Sequence, residues 1–463
     1  MASVAAQKQQ FAFLALFGAV SYAAAHMLAT ASTQHTVIYI FGTIACVLAF
    51  LNAEIAVYFL IIAMLLSPEV EVGQTSGASL GRPVTLRVDD FLLLIICTSW
   101  FLKSVFYKEI DLFKRTRLNT AIYMYSFAAL FSTMLGMVSG NVDPKTGGLF
   151  VLKYVEYFLI FLMVVNTVHD EGQIKRFLLV ACMVALIVCI VAIGQIPRGG
   201  RISAPFEGQS GEPNTLGGYL LLMISVVGAF VFVDNKYRWP AAFLVFVMMV
   251  AFVYTLSRAS YLGFIPVAFL LPVFTRRYFL LVATVIVALL LILFPQQLLP
   301  NAVYSRINYT FTQTSTHAAQ LKILGTRVDT STSARLLYME AAVDAFVQKP
   351  IFGWGVTGWH FLDSQYFRSL SETGLLGFST LVFLLFRVLQ TSFASLKAMN
   401  DRDPVYRALA VGFITGMFGL MVHAIGSNTF IIVRIMEPFW LLCALVYVLP
   451  EITLPVQRQH QAA

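Results

Sequence analysis

The chain has 463 residues, of which 59% are hydrophobic and 12% charged, and its mean hydropathy is +0.80. That balance exceeds what a soluble core can absorb and calls for lipid as solvent, which excludes a soluble globular enzyme. The formal charge of +8 would suggest nucleic acid in a soluble protein, but the basic residues fall in short segments between apolar runs. Membrane orientation accounts for them there, so no nucleic-acid partner is predicted.

With about 20 apolar residues needed per crossing helix, the sequence predicts about fourteen spans: 11–30, 36–51, 53–67, 88–106, 119–139, 147–167, 176–195, 214–233, 240–256, 260–274, 278–297, 374–395, 407–425 and 429–449. The short second and third runs leave room for one broken helix. The first run lacks a small-residue cleavage site and is followed at once by further spans, so it reads as a retained helix with a cytoplasmic N-terminus. Alternation then gathers Lys108, Lys114, Arg115, Arg117, Lys175, Arg176, Lys236, Arg238, Arg276, Arg277, Lys397, Arg402 and Arg407 on one face, which the positive-inside bias makes cytoplasmic. Arg82, Arg87, Lys145, Arg198, Arg201 and Arg258 fall on the other face with the Gly/Pro-rich segment 197–215 and the long polar segment 298–371. Both termini are thereby placed inside. The predicted fold is an all-α polytopic membrane protein of about 12–14 transmembrane helices with one large external loop: a bundle over 1–297, an external subdomain over 298–371 and a three-helix part over 372–463.

Cysteines 46, 97, 182, 189 and 443 all sit in apolar runs without a CxxC pair, so neither a disulfide, a zinc site nor a redox cofactor is predicted. No GxxxxGK[ST] loop is present. Energy must arrive in the substrate or an ion gradient.

In the long loop, Leu336, Met339, Val343, Phe346 and Val347 share one face and Glu340, Asp344 and Gln348 the other, predicting an amphipathic helix over 333–348. Ser331, Thr332 or Ser333 would cap it and Pro350 would stop it. Arg335 lies at the edge of its apolar stripe, read either as a phosphate ligand or as a solvated arginine paired to Glu340. Arg258, in SRASYLG between two spans, offers bidentate donors at headgroup depth with no acid close by in sequence. It reads equally as a snorkelling, orientation-setting arginine. Arg201 ranks third, and Arg306 and Arg327 are unranked. Asp363 is either a helix N-cap or a general base, and His360, beside Trp359, either a packed ring or a proton acceptor. Arg368 and Glu372 stand at i, i+4 as an ion pair, so Glu372 is no catalytic partner of Asp363. The run WGVTGWH looks like a loop able to approach a sugar closely. Inside the spans, Lys153 with Glu156 and Arg434 with Glu437 are predicted pairs, and Arg387 and His423 face the interior without an assigned role.

The order of SRASYLG between two spans, a long external loop with an arginine-led helix, KPIFGWGVTG and then ETGLLGF resembles the O-antigen ligase and Wzy-type polymerase superfamily, over roughly residues 200–449. The resemblance implies a metal-independent, multi-span glycosyltransferase that takes glycan from undecaprenyl diphosphate at the outer face of the bacterial inner membrane, working beside a flippase and a chain-length regulator. It also implies diphosphate contacts at Arg258 and Arg335. Ligases of this superfamily carry a histidine nine positions before the glutamate of the ExGLLG run; here Asp363 occupies that position. A polymerase is therefore favoured over a ligase. A transporter of lipid-linked sugars is the reading from another class, opposed by the size of the loop and the lack of duplicated halves.

Overall fold

The computed structural model describes residues 47–453 except 49, 74–83, 108–113, 208–210, 234–235, 313–321, 324–325, 328, 361 and 400–402. The predicted span 11–30 and most of 36–51 lie outside the described residues, as do Arg82, Lys108 and Arg402. Among the described residues, twelve long helices and two loop helices follow one another. They are α1 (Ala53–Leu66), α2 (Val88–Tyr107), α3 (Asn119–Val138), α4 (Pro144–Thr167), α5 (Glu171–Ile193), α6 (Pro213–Phe232), α7 (Arg238–Tyr254), α8 (Arg258–Phe274), α9 (Tyr278–Leu293), α10 (Asn301–Thr312), α11 (Thr330–Gln348), α12 (Gln365–Ala398), α13 (Pro404–His423) and α14 (Val433–Thr453). Seven are long and apolar enough to cross a membrane and four are shorter apolar helices. The protein is an all-α polytopic membrane protein. Two antiparallel hairpins, β1 (Glu69–Gly73) with β2 (Val84–Arg87) and β3 (Lys322–Ile323) with β4 (Thr326–Arg327), pair backbone groups in the polar connections.

Helix starts follow local chemistry. Asp143 accepts from Thr146 N ahead of Pro144, Asp403 accepts from Val405 N ahead of Pro404, and Asp170 forms a capping box with Gln173. α6 is buried along nearly its whole length at the centre, with α13 and α14 beside it, whereas α9 buries no residue and faces outward.

Polar contacts sort the connections into two ends, in the alternation that hydropathy predicts. At one end Arg176 pairs with Glu54 at 2.8 Å, Lys175 with Asp403 at 3.4 Å and Lys114 with Glu451, and Tyr406 donates to Glu171 at 2.6 Å. Arg387, half-buried, joins this end by donating to Arg117 O at 3.0 Å, so it does not face the interior as its position in a span suggests. At the opposite end, segments 65–67, 205, 355–364 and 424–432 meet. Arg434 binds there instead of pairing with Glu437. Its guanidinium donates to Leu65 O and Pro205 O at 3.0 Å and to Ser67 O at 3.1 Å, with Glu207 at 3.9 Å. Tertiary carbonyls thus outcompete the partner one turn away. Lys153 does reach Glu156, at 3.1 Å, and Asp90 as well.

The KPIFGWG and ETGLLG motifs are two halves of one device. α12 breaks at Gly374, whose φ of 63° and ψ of −162° lie outside the helical region. The break frees backbone groups, and the segment after α11 takes them up. Leu375 N donates to Pro350 O at 2.8 Å and Leu376 N to Ile351 O at 3.1 Å, while Ser371 O and Glu372 O accept from Trp354 N and Gly355 N at 3.0 and 2.8 Å. Such repairs are what allow a broken helix at membrane depth. The glycines of this run therefore serve backbone-to-backbone packing, where the sequence suggested an open sugar-contacting loop. A Cβ on Gly374 would sit 2.4 Å from Ile351 O on a left-handed backbone. Gly374→Ala is expected to destabilise the protein by on the order of 3 kcal/mol, read as a lower melting temperature in detergent; unchanged melting would contradict this account.

Candidate functional site

α7 and α8 are joined by a turn so short that Leu256 adopts a left-handed φ of 49°. Ser257 caps α8, accepting from Ser260 N at 3.3 Å and donating to Asn214 Oδ1 at 2.8 Å, which ties the turn to the start of α6. Arg258 is the first residue of α8, where the helix end is already positive and a cation is misplaced. It needs an anion, and the structure supplies one that the sequence did not show. Arg258 Nη1 and Nη2 each lie 3.0 Å from an oxygen of Asp329, a bidentate pair, and Nη1 also donates to Thr332 Oγ1 at 2.9 Å.

Asp329 is the N-cap of α11, accepting from Thr332 N at 3.2 Å, so the cap lies just upstream of the hydroxyl run proposed from the sequence. The helix extends over the predicted 333–348 and adds a turn in front. Burial opposes ionisation of Asp329, but the hydrogen bonds from Arg258 and Thr332 outweigh it and hold the carboxyl below the usual range. A depressed carboxyl contributes stability above its unfolded pKa, about 3.9, that is lost as pH falls through the folded value. The melting advantage of wild type over Asp329→Asn, which keeps the cap, is therefore expected near neutrality, should begin to shrink as pH falls below about 4 and should be lost as pH passes the lowered folded value; an advantage undiminished in acid would refute the pair.

Arg335 follows Thr332 by three residues and shares its helix face, which sets its Cβ about 5–6 Å along the same surface. Its Nε and Nη2 lie 3.3 and 3.1 Å from Asp363 Oδ2. Asp363 is thus a partner of Arg335, and Ser364, not Asp363, occupies the N-cap of α12. Arg335 pairs to Asp363 across the fold and not to Glu340. Arg201 donates to two uncharged groups, Thr255 O at 3.2 Å and Asn214 Oδ1 at 3.4 Å. Burial, and then the charges of Arg306, Arg335 and Arg258, push its guanidinium down to about 10. Arg306 of α10 is lowered by burial and by the repulsion of Arg258 and Arg335, against the attraction of Asp329.

Four guanidiniums from four elements therefore feel one another at one end of the bundle. Arg201, Arg258 and Arg335 were legible candidates. Arg306 was unranked, because nothing in the sequence of α10 marks it off from a solvated loop arginine. Asp329 was missed, although an acid directly before Thr330-Ser331-Thr332-Ser333 is itself a helix-start signal. His360 is exposed with its ring 5.2 Å from that of Trp359 and, among the described residues, makes no hydrogen bond or ion pair with the arginine cluster. His423, the last residue of α13, is buried below the site with Nδ1 2.7 Å from Thr429 Oγ1, within electrostatic reach of Arg335. Asn428 donates to Leu362 O and Phe430 N donates to Gln365 Oε1 at 3.1 Å, fixing the segment around Asp363 against the 424–432 connection.

The arrangement can hold a polyanion. Two helix N-termini, those of α8 and α11, converge on Asp329, and among the described residues four guanidiniums gather with Asp329, Asp363 and Glu212. The family model described as O-antigen ligase matches residues 242–382. That stretch runs from α7 into α12 and contains Arg258, Arg306, Asp329, Arg335 and Asp363, while Arg201 lies before it. No curated protein matches the chain.

Proposed function

Given a chain that carries the O-antigen ligase family's domain at residues 242–382, we propose that this membrane protein is a polysaccharide polymerase. It transfers glycan from an undecaprenyl-diphosphate donor to a lipid-linked acceptor at the outer face of the bacterial inner membrane. One observation carries the reading: Arg258 pairs with Asp329 and Arg335 with Asp363 at one end of the bundle, with Arg201, Arg306 and Glu212 within electrostatic reach of them. Cations held together against their own repulsion are a site prepared for an anion. The end carrying Lys114, Arg115, Arg117, Lys175, Arg176, Arg276 and Arg277 then faces the cytoplasm by the positive-inside bias, with both chain termini, and the arginine end opens to the periplasm.

Asp329 and Asp363 act as resident counter-ions. A diphosphate arriving between α8 and α11 displaces them and takes over Arg258 and Arg335, while Arg201 and Arg306 add charge at its flank. The acceptor hydroxyl oxygen bonds to the anomeric carbon as the bond from that carbon to the diphosphate oxygen breaks, and the fixed guanidiniums neutralise the charge that builds on the leaving group. The hydroxyl proton passes to Asp363, released from Arg335 by the same exchange; general-base help of this kind is worth about 10²–10⁴-fold. His360 is the substitute base. Fixed cations do at the diphosphate what a metal ion would otherwise do.

Transfer to lipid A core or to protein is the second reading, favoured by the matched family's description. Purified protein given a synthetic polyprenyl-diphosphate oligosaccharide alone is expected to lengthen it by whole repeat units. Product formed only when a lipid A core acceptor is added selects the ligase. Movement of the substrate across vesicles with no new glycosidic bond would overturn both.

A further inference from the structure

A second charged centre lies away from the arginines, where α2, α4 and α14 meet. Arg87 stands just before α2, which brings Asp89 and Asp90; α4 brings Lys153 and Glu156, and α14 brings Glu437 one turn from its start. Arg87 Nη2 contacts Asp89 Oδ2 and lies 2.8 Å from Glu437 Oε2, and Arg87 N donates to Asp90 Oδ2 at 2.9 Å. Lys153 Nζ contacts Asp90 Oδ1 and lies 3.1 Å from Glu156 Oε2. Four carboxylates thus face two cations, an excess of two negative charges inside a membrane bundle. Asp89 and Glu437 are fully buried.

The geometry sharpens the imbalance. Asp89 Oδ1, Glu156 Oε1 and Glu437 Oε1 are buried and have no hydrogen-bond partner among the described residues. Glu437 nevertheless lies within hydrogen-bonding reach of Asp89, and Glu156 of Asp90, so each pair must take up a proton or a cation. Uncompensated like charges in such a place cost several kcal/mol each. One oxygen from each of Asp89, Asp90 and Glu156 falls within 4.8 Å of the others. A hard cation binds each oxygen at about 2.3–2.6 Å, so three oxygens that close can share one ion. A shared proton joins two oxygens, whereas three that converge, with Glu437 held against Asp89 by Arg87 and its own Oε1 left over, form a donor set that a metal ion collects.

We propose that Asp89, Asp90, Glu156 and Glu437 bind one divalent hard cation of the magnesium and calcium class, which neutralises the excess charge and ties α2 and α4 to α14. Arg87 and Lys153 brace the carboxylates from outside. α14 follows directly on the 424–432 connection that holds the segment around Asp363, so the cation would steady one wall of the arginine site without touching the substrate.

The test strips purified full-length protein with a chelator and dialyses it against calcium or magnesium. Bound metal is then counted and thermal melting recorded. About one equivalent per chain and a metal-dependent rise in melting temperature are expected, and Asp89→Asn and Glu437→Gln should each lose both while still melting cooperatively without metal. No bound metal in wild type at millimolar concentration, or full retention by both variants, would overturn the proposal. So would an infrared band of protonated carboxyl in metal-free wild type that persists unchanged in millimolar metal, since shared protons would then neutralise the cluster. None of these readouts uses glycan transfer, so failure here leaves the arginine site's reading intact.

Discussion

Alanine at Arg258 is expected to lower glycan transfer by about 10²–10³-fold, the usual loss when one preorganised donor to a developing anion is removed. Lysine should recover only a small part, because one ammonium cannot make the paired contacts that Arg258 makes to both oxygens of Asp329 at 3.0 Å and would make to phosphate. The single variant carries a complication: it strands Asp329, whose side chain is 2% exposed, without its cation. Arg258→Ala combined with Asp329→Asn removes both charges and keeps an Asn cap on α11, so it separates folding from chemistry. In that folded pair variant, lipid-linked single units should accumulate while polymer is lost. Arg335→Ala should act in the same direction, and the double arginine variant should lose less than the product of the single losses, because both side chains hold one leaving group. Wild-type polymer from the folded Arg258→Ala/Asp329→Asn protein would remove the donor site from α8 altogether.

What was legible follows from the range of the forces involved. Span positions depend on about 20 consecutive residues meeting lipid, so 214–233 was readable and the helix is Pro213–Phe232; 119–139 was readable and the helix is Asn119–Val138. The helix of the loop was equally local, but its buried face was not: Ser333, Ala342 and Ala345 are buried while Val343 and Val347 of the predicted apolar stripe are exposed. Partners were not. Asp329 lies 71 positions from Arg258, and Asp363 lies 28 from Arg335. The spacing rule that paired Arg434 with Glu437 failed because three backbone carbonyls and Glu207 from other segments surround the guanidinium, leaving Glu437 to Arg87, 350 positions away. Spacing did succeed for Arg368 and Glu372, whose side chains meet at 3.0 Å one turn apart. The glycine-rich run misled for a related reason. Its residue types suit an open loop, but its role is set by the broken helix it repairs, which only the fold brings beside it.

Loss of Glu372 is expected to be the most destabilising change in the protein. Arg368 Nε lies 3.0 Å from Glu372 Oε1, with the two side chains 8% and 6% exposed, and the same Oε1 accepts from Thr357 N at 3.0 Å. Glu372→Ala therefore removes the carboxylate from a buried guanidinium and the acceptor from a backbone donor at once, at a cost of about 3–5 kcal/mol for the broken pair, with the uncapped amide adding about 1–3. Because Glu372 O also receives Gly355 N at 2.8 Å, the loss strikes the junction that holds the segment after α11 against the break at Gly374. Glu372→Gln should cost less than alanine, since its carbonyl oxygen can keep Thr357 N while losing the charge. Replacing both partners by methionine should recover much of the single-variant loss, because two charges then leave the interior together. Melting of wild type, Arg368→Met, Glu372→Met and the double methionine variant in one detergent forms a double-mutant cycle. A coupling energy near zero would show that Arg368 and Glu372 are neighbours that do not hold the break together.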